Sequence, residues 1–214
     1  MQSDAPQGRS LGQMKTILLV LLPFYVNDLF LMGAESAESW LWIDYVSRAI
    51  SLSLMFTIGA NWRDLWRENR ISNWLVAIVG LFIAASLGLM ISGTLPPWLR
   101  QNVGGFVLQG FPGYASPHQR FWDLTLGLAL VAISEEILFR WYLDRAIRGF
   151  IRSEPGRIFL AATLFALAHW SRLAVGVFPA FLFGVIYAIL YRRIGSVWPL
   201  AVAHYIVDLM EYSA

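Results

Sequence analysis

The sequence predicts an all-α fold: a polytopic membrane helix bundle of about seven transmembrane helices, with its N-terminus in the cytoplasm. Three observations carry this prediction. The 214 residues are 57% hydrophobic and only 14% charged, whereas soluble domains are about 25% charged. Long apolar runs recur along the chain, and Lys and Arg gather in alternate connecting segments. A soluble core of this size could not bury so much apolar surface, so we expect the chain to lie in a lipid bilayer.

Seven candidate spans follow one another along the chain. They cover residues 16–32, 41–60, 74–93, 121–142, 158–170, 174–191 and 196–210. The fifth and seventh are short for a hydrocarbon layer of about 30 Å, and short spans are tolerated only inside a bundle. Because no repeat or linker separates the spans, the sequence predicts a single integral membrane domain over residues 1–214.

The positions of the basic residues predict the orientation. With the N-terminus in the cytoplasm, eleven of the 16 Lys and Arg residues fall in cytoplasmic segments and three in outside segments. This distribution agrees with the positive-inside rule. The net charge of +2 is too small to suggest a nucleic-acid partner, and the absence of cysteine excludes thiolate metal ligands and a cysteine nucleophile.

Three full charges stand inside the fourth span, where the sequence AISEEILFRWYL contains Glu135, Glu136 and Arg140. A charge at the bilayer centre costs about 2.5–3.5 kcal/mol on insertion scales. Together with Asp208 in the last span, these residues would cost roughly 10 kcal/mol if they were unpaired. A site this costly is more often functional than structural.

Two histidines in other spans lie at the depth of the glutamates. With the cytoplasmic arginines as markers of the membrane surface, the helical rise places Glu135 about 15 Å deep, His169 about 18 Å and His204 about 16 Å. Three polar groups on three different spans therefore converge on one level. Such convergence favours chemistry over transport, which would need polar residues spread through the depth of the bundle.

The spacing of these residues suggests their roles. Glu136 and Arg140 are four residues apart, so they share a helix face and can pair. Glu135 points about 100° away and is left without a local cation, which suits a general base. His204 and Asp208 are also four apart, so Asp208 can hydrogen-bond His204 and fix its tautomer. A glutamate, histidines and a water at one buried level are typical of a hydrolase.

Three motifs carry a resemblance to a known family. In chain order they are Glu135-Glu136-x-x-x-Arg140, Phe165-x-x-x-His169 and His204-x-x-x-Asp208. They resemble the signature motifs of the CPBP family of glutamic-type intramembrane endopeptidases, which are related to the CAAX prenyl endopeptidase and to bacteriocin-processing and immunity proteins. The resemblance covers about residues 121–210, the motif-bearing core.

The resemblance implies an enzyme that hydrolyses a peptide bond without a metal or other cofactor. It implies that Glu135, beside Glu136 in the catalytic set, activates a water that His169 helps to hold. It further implies that His204 and Asp208 stabilise the oxyanion, with Arg140 and Phe165 supporting the site.

The last motif departs from the prenyl endopeptidases, which carry Asn where this chain has Asp208. An ionised carboxylate cannot donate a hydrogen bond to an oxyanion. Either Asp208 is protonated, or it only orients His204, which then donates. The spacing leaves both readings open.

Other functions also fit part of the pattern. Carboxylates and histidines in spans also build the proton relays of transporters and proton-coupled carriers. A non-catalytic membrane scaffold or immunity protein could retain the same motifs. A zinc-dependent enzyme could use His169, His204 and Glu135 as ligands, since three ligands and a water make a catalytic zinc site.

The expected partners follow from the leading hypothesis. They are a peptide or protein substrate, with membrane-anchored and lipidated ones included, and the lipid bilayer. The expected location is the bacterial plasma membrane.

Overall fold

The computed structural model describes residues 5–104, 108 and 111–213, and this part of the chain is helical, without any strand. The α-helices are α1 (Ala5–Leu31), α2 (Ala37–Leu54), α3 (Trp62–Glu68), α4 (Trp74–Leu99), α5 (Pro117–Trp122), α6 (Leu128–Glu135), α7 (Leu143–Ile147), α8 (Glu154–Leu167), α9 (Leu173–Ile194) and α10 (Trp198–Ser213). The predicted all-α fold is therefore confirmed.

Among the described residues, four helices are long and apolar enough to cross a membrane. They comprise Gly12–Leu31, Ala37–Gly59, Trp74–Val103 and Trp170–Ile194. Large apolar side chains stand exposed on them: Leu75 is 70% exposed and Phe82 is 65% exposed. Such surface is at home in lipid, and the chain is an integral membrane protein. The other three predicted spans also form helices, but a count of seven spans and the cytoplasmic N-terminus remain predictions.

The helix that carries the charged motif is continuous from Pro117 to Ile147 but not uniform. α5, α6 and α7 are joined by two π-helical segments, Asp123–Gly127 and Glu136–Tyr142. Every residue of the second segment is buried. π-Helical turns inside α-helices are rare and occur frequently at functional sites.

Local sequence signals set several helix ends. Ser36 and Ser39 form a capping box at the start of α2, and the Asn73 side chain accepts a hydrogen bond from the Val76 backbone N–H at the start of α4. α9 ends at Gly195, whose φ of 71° lies in the left-handed region that favours glycine. These caps satisfy backbone groups that would otherwise be orphaned at the helix ends.

Two close helix contacts position the site. A Cβ atom on Gly184 would lie 3.0 Å from the Ala162 Cα, so α9 approaches α8 closely. A Cβ atom on Gly88 would lie 2.6 Å from a methyl group of Val207, so α4 approaches α10 closely. Small residues allow helices to pack at this distance in membranes.

The two ends of the bundle differ in charge. At one end Asp144 pairs with Arg148, at 2.5 Å, and with Arg192; we call it the arginine-rich end. At the other end, Arg120 near the start of α5 donates to the Ser213 carbonyl at the end of α10, at 2.6 Å. We call this second end the open end, because the cavity described below reaches it.

Candidate active site

A cavity of about 430 Å³ lies between α1, α2, α4, α6, α9 and α10. Five of the motif residues line it: Glu135, Phe165, His169, His204 and Asp208. Glu135 and His204 are almost fully buried, with 4% and 5% of their surface exposed. The structure thus brings together the groups that the helical rise placed at one depth.

The two carboxylate oxygens of Glu135 have different surroundings. Oε1 accepts a hydrogen bond from Nη1 of Arg48 at 2.8 Å. Oε2 is buried and has no hydrogen-bond partner among the described residues. It lies 3.7 Å from Nε2 of His204. One oxygen is therefore held and the other is available as an acceptor inside the cavity.

The expectation that Glu135 has no local cation is wrong, because α2 supplies Arg48. Arg48 also binds Asp44 through its Nε at 2.9 Å, so the guanidinium bridges two carboxylates. The sequence shows the four-residue spacing of Asp44 and Arg48, which indicates a structural pair. The contact with Glu135 crosses 87 residues of chain. The sequence indicated only that an arginine inside a span is costly and needs an anionic partner; it did not identify Glu135 as that partner.

Glu136 lies behind His204 and is not among the residues that line the cavity. Its Oε1 accepts from Nδ1 of His204 at 3.0 Å, and its Oε2 lies 3.1 Å from Nε of Arg140. The predicted pair with Arg140 is therefore present, and both side chains are 0% exposed. The Arg140 guanidinium stacks over the Phe165 ring at 4.6 Å. This geometry fits a positioning role for Glu136 better than direct contact with a substrate.

Glu136, and not Asp208, binds the ring nitrogen that fixes the tautomer of His204, in contrast to the expectation from the four-residue spacing. Because a carboxylate accepts, the Nδ1 of His204 bound to Glu136 carries a proton. Nε2 then faces Oδ2 of Asp208 at 3.6 Å and Oε2 of Glu135 at 3.7 Å. Three unprotonated acceptors so close together would repel one another. A proton on at least one of these three groups relieves this repulsion.

His169 follows the end of α8, where the chain enters a short 3₁₀ turn (Trp170–Arg172). Its Nδ1 lies 3.1 Å from the carbonyl oxygen of Phe165, and the two rings meet edge to face at 5.0 Å. A carbonyl oxygen only accepts, so Nδ1 carries the proton. Nε2 of a neutral His169 is then an acceptor. Phe165 therefore orients His169 through both its ring and its backbone.

The zinc ligands considered from the sequence do not form a coordination set in this arrangement. In the part of the chain that the structure describes, no group of three His, Asp or Glu side chains is placed to hold a metal ion. Glu135 and His204 approach each other to 3.7 Å.

From the inner residues the cavity runs to the open end of the bundle. Its outer lining includes Asp28, Arg100, Arg172 and Tyr212. Asp28 is 8% exposed, and its Oδ2 accepts from the Ser171 backbone N–H at 3.3 Å. The polar outer lining provides a path by which water can reach the buried glutamate.

No curated protein and no solved structure matches the chain. A family model does match, and its description is Type II CAAX prenyl endopeptidase Rce1-like. The matched residues, 117–210, extend from α5 into α10 and include all three motifs. At the level of the family this supports a membrane protease. Residues 117–210 therefore match the Rce1-like family model, which confirms the suspected resemblance to the CPBP and CAAX-protease group over this part of the chain.

Proposed function

We propose that the protein is an intramembrane endopeptidase that hydrolyses a peptide bond with a water activated by Glu135. One observation carries the proposal. Glu135 holds one oxygen on Arg48 and turns the other, which has no hydrogen-bond partner among the described residues, into a buried cavity shared with two histidines. A buried carboxylate with one free acceptor oxygen is the arrangement that a general base needs.

In the proposed reaction a water donates to Oε2 of Glu135 and to Nε2 of His169. The water oxygen attacks the scissile carbonyl carbon, and its proton passes to Glu135. The carbon–nitrogen bond then breaks, and Glu135 returns the proton to the leaving amine. No metal takes part in this scheme.

The oxyanion that forms on the carbonyl oxygen needs hydrogen-bond donors. Glu136 holds Nδ1 of His204, so a proton on Nε2 points into the cavity between Glu135 and Asp208. We assign Nε2–H of His204 to the oxyanion; because Nδ1 also carries a proton, His204 acts in this scheme as an imidazolium, with Asp208 3.6 Å from its Nε2. Loss of one such donor typically costs about 10²–10³ in kcat.

The proposed topology has seven spans in a single membrane domain, with the N-terminus in the cytoplasm of a bacterial cell. The arginine-rich end then faces the cytoplasm and the open end of the cavity faces outside. The chain has no cysteine, so Glu135→Cys introduces a single thiol for labelling. A membrane-impermeant thiol reagent should label this variant in intact spheroplasts. It should fail to label the variant in sealed inverted vesicles, because the added reagent reaches only the cytoplasmic face there. The reverse pattern would invert the topology.

The substrate is proposed to be a peptide or protein, with membrane-anchored and lipidated chains included. A comparison of new N-termini in membrane fractions from cells with wild-type protein and with Glu135→Gln would identify it. The purified protein in liposomes is then tested on that substrate, with farnesylated and unmodified CAAX peptides as probes.

Glu135→Gln preserves shape and removes the proton acceptor, so cleavage should fall by about 10²–10⁴-fold. Expression and thermal stability should stay close to those of the wild type, because a neutral Gln can still accept from Arg48. Arg148→Gln, at the arginine-rich end, is the matched control and should cleave normally. Near wild-type cleavage by Glu135→Gln would refute the proposal that Glu135 activates the water.

Transport is the second candidate, favoured by the polar lining that continues outward through Asp28, Asp44 and Arg172. The described lining residues nevertheless include none from the arginine-rich end, so the cavity stops at the depth of Glu135. A carrier needs access from both sides of the membrane. Proton flux into liposomes that is lost in Glu135→Gln, without any peptide cleavage, would favour the carrier.

A further inference from the structure

We infer that Arg48 is a positioning residue that fixes the carboxylate of Glu135 in its reactive orientation. The inference rests on the proposed function and extends it to α2. Arg48 lies outside residues 117–210, the segment that matches the protease family. The site is therefore completed by a part of the chain that the family match does not cover.

Arg48 contacts side chains of α1, α2 and α6. Its Nη1 donates to Oε1 of Glu135 at 2.8 Å and lies 3.3 Å from Oγ of Ser134. Its Nε donates to Oδ2 of Asp44 at 2.9 Å. The guanidinium carbon stacks over the Phe24 ring at 5.1 Å. The side chains of Arg48 and Glu135 are 10% and 5% exposed, so solvent screens this pair little.

Asp44 is itself held, which makes the arginine a rigid support. Its other oxygen, Oδ1, accepts from Nδ2 of Asn27 on α1 at 3.2 Å. Asn27 in turn accepts from the hydroxyl of Ser47 at 3.0 Å. The chain of contacts thus runs from α1 through Asp44 and Arg48 to Glu135. Since guanidinium is planar with a fixed fork of donors, holding Nε on Asp44 fixes the direction of Nη1.

The contact with Arg48 determines which carboxylate oxygen of Glu135 is available to react. A carboxylate on a flexible side chain can rotate and exchange its two oxygens. With Oε1 bound to Arg48, Oε2 is the oxygen that remains in the cavity, 3.7 Å from Nε2 of His204. Asp208 and His169 line the same cavity. A lysine at this position would bring one point charge and could not reproduce both edges of the fork. Misplacing a catalytic group by about 1 Å can cost about 10²-fold in rate.

The contact can be tested without any substrate. In Glu135→Cys the thiol is the sole cysteine in the chain, and a nearby cation favours the thiolate, which is the reactive form. We expect the rate of alkylation by iodoacetamide to fall at least about fivefold when Arg48→Gln is added. Arg148→Gln is the control and should leave the rate unchanged. Unfolding would expose the thiol and raise the rate, so misfolding cannot imitate the expected result. An alkylation rate that does not respond to Arg48→Gln overturns the inference.

Kinetics test the positioning role on the cleaved substrate or CAAX probe peptide. Arg48→Lys keeps the charge and should lower kcat by about 10–10²-fold while KM stays within about twofold. Added guanidinium ion should restore part of the lost rate to Arg48→Gly. Wild-type kcat in both Arg48→Lys and Arg48→Gln would overturn the inference. If both Arg48 variants keep wild-type kcat while Glu135→Gln is inactive, the positioning role of Arg48 is refuted and the proposed function stands. If Glu135→Gln is itself active, the proposed function is refuted.

Discussion

The buried pair of Glu136 and Arg140 makes a quantitative prediction about stability and activity together. Both side chains are 0% exposed, with Nε of Arg140 3.1 Å from Oε2 of Glu136. Removing one partner of a buried pair leaves an uncompensated charge and costs about 3–5 kcal/mol. For a chain of this size, Arg140→Met should therefore lower Tm by about 6–20 °C. Glu136→Leu should do the same, because it leaves Arg140 without its carboxylate.

Removing both charges should reverse most of this loss. A buried pair replaced by apolar residues of similar volume is often neutral in stability, so Glu136→Leu/Arg140→Met should be more stable than either single variant. The double variant should still cleave poorly, because Nδ1 of His204 loses the acceptor that it has at 3.0 Å. Stability and activity would then separate within one set of variants.

Thermal unfolding of the purified variants in detergent measures the stability, and cleavage of the substrate in liposomes measures the activity. Arg148→Met is the matched control. It breaks the ion pair with Asp144, which has the same four-residue spacing, but the Arg148 side chain is 58% exposed. Exposed pairs contribute only about 0.2–1 kcal/mol. The reasoning is refuted if the single variants shift Tm no more than this control, or if the double variant is less stable than both.

Three further predictions concern the metal, Asp208 and pH. Cleavage should survive dialysis against strong chelators, measured with and without added zinc; loss on chelation and recovery with zinc would give the histidines ligand roles. Asp208→Asn should retain substantial activity, because the amide keeps a carbonyl acceptor beside His204 and adds an N–H donor, whereas Asp208→Ala should lose most of it; full activity in Asp208→Ala would leave Asp208 without a catalytic role. At the arginine-rich end, partial burial raises the pKa of Glu68, but hydrogen bonds from Arg145 and Trp141 outweigh it and hold that pKa below its ordinary value. This carboxylate therefore stabilises the fold above the ordinary glutamate pKa, and the contribution is lost as pH falls through the lowered value. Glu68→Gln should flatten the decline of Tm in acid, and an unchanged decline would contradict this assignment.

Much of the architecture could be predicted from the sequence because apolar runs and capping residues act locally. The uncharged run that begins at Trp74 forms α4, and Asn73 caps it as its residue type favours. The common depth of Glu135, His169 and His204 was also predictable, since depth along a helix follows from the number of residues. These residues do line one cavity.

Other features could not be predicted, because they depend on how the helices are rotated and packed. The spacing of Glu136 and Arg140 predicted their contact, but not that Glu136 also holds His204 on α10. The π-helical segment Glu136–Tyr142 changes the angular relation of these side chains from that of a regular α-helix. The expectation that Asp208 fixes the tautomer of His204 was wrong because it considered one helix only. Glu136, on another helix, binds Nδ1 of His204 at 3.0 Å, whereas Asp208 lies 3.6 Å from Nε2.

The sequence by itself determined a helical membrane protein, the family resemblance of about residues 121–210, and the set of polar groups at one depth. The tertiary structure alone decided which of these groups touch. It paired Glu135 with Arg48 of α2, placed Glu136 behind His204, and opened the cavity at the end opposite Asp144 and its arginine partners. The physical reason is the range of the interactions involved. Hydrophobicity and helix caps act within a few residues, whereas the partner of a buried charge is set by the packing of helices that are distant in the chain.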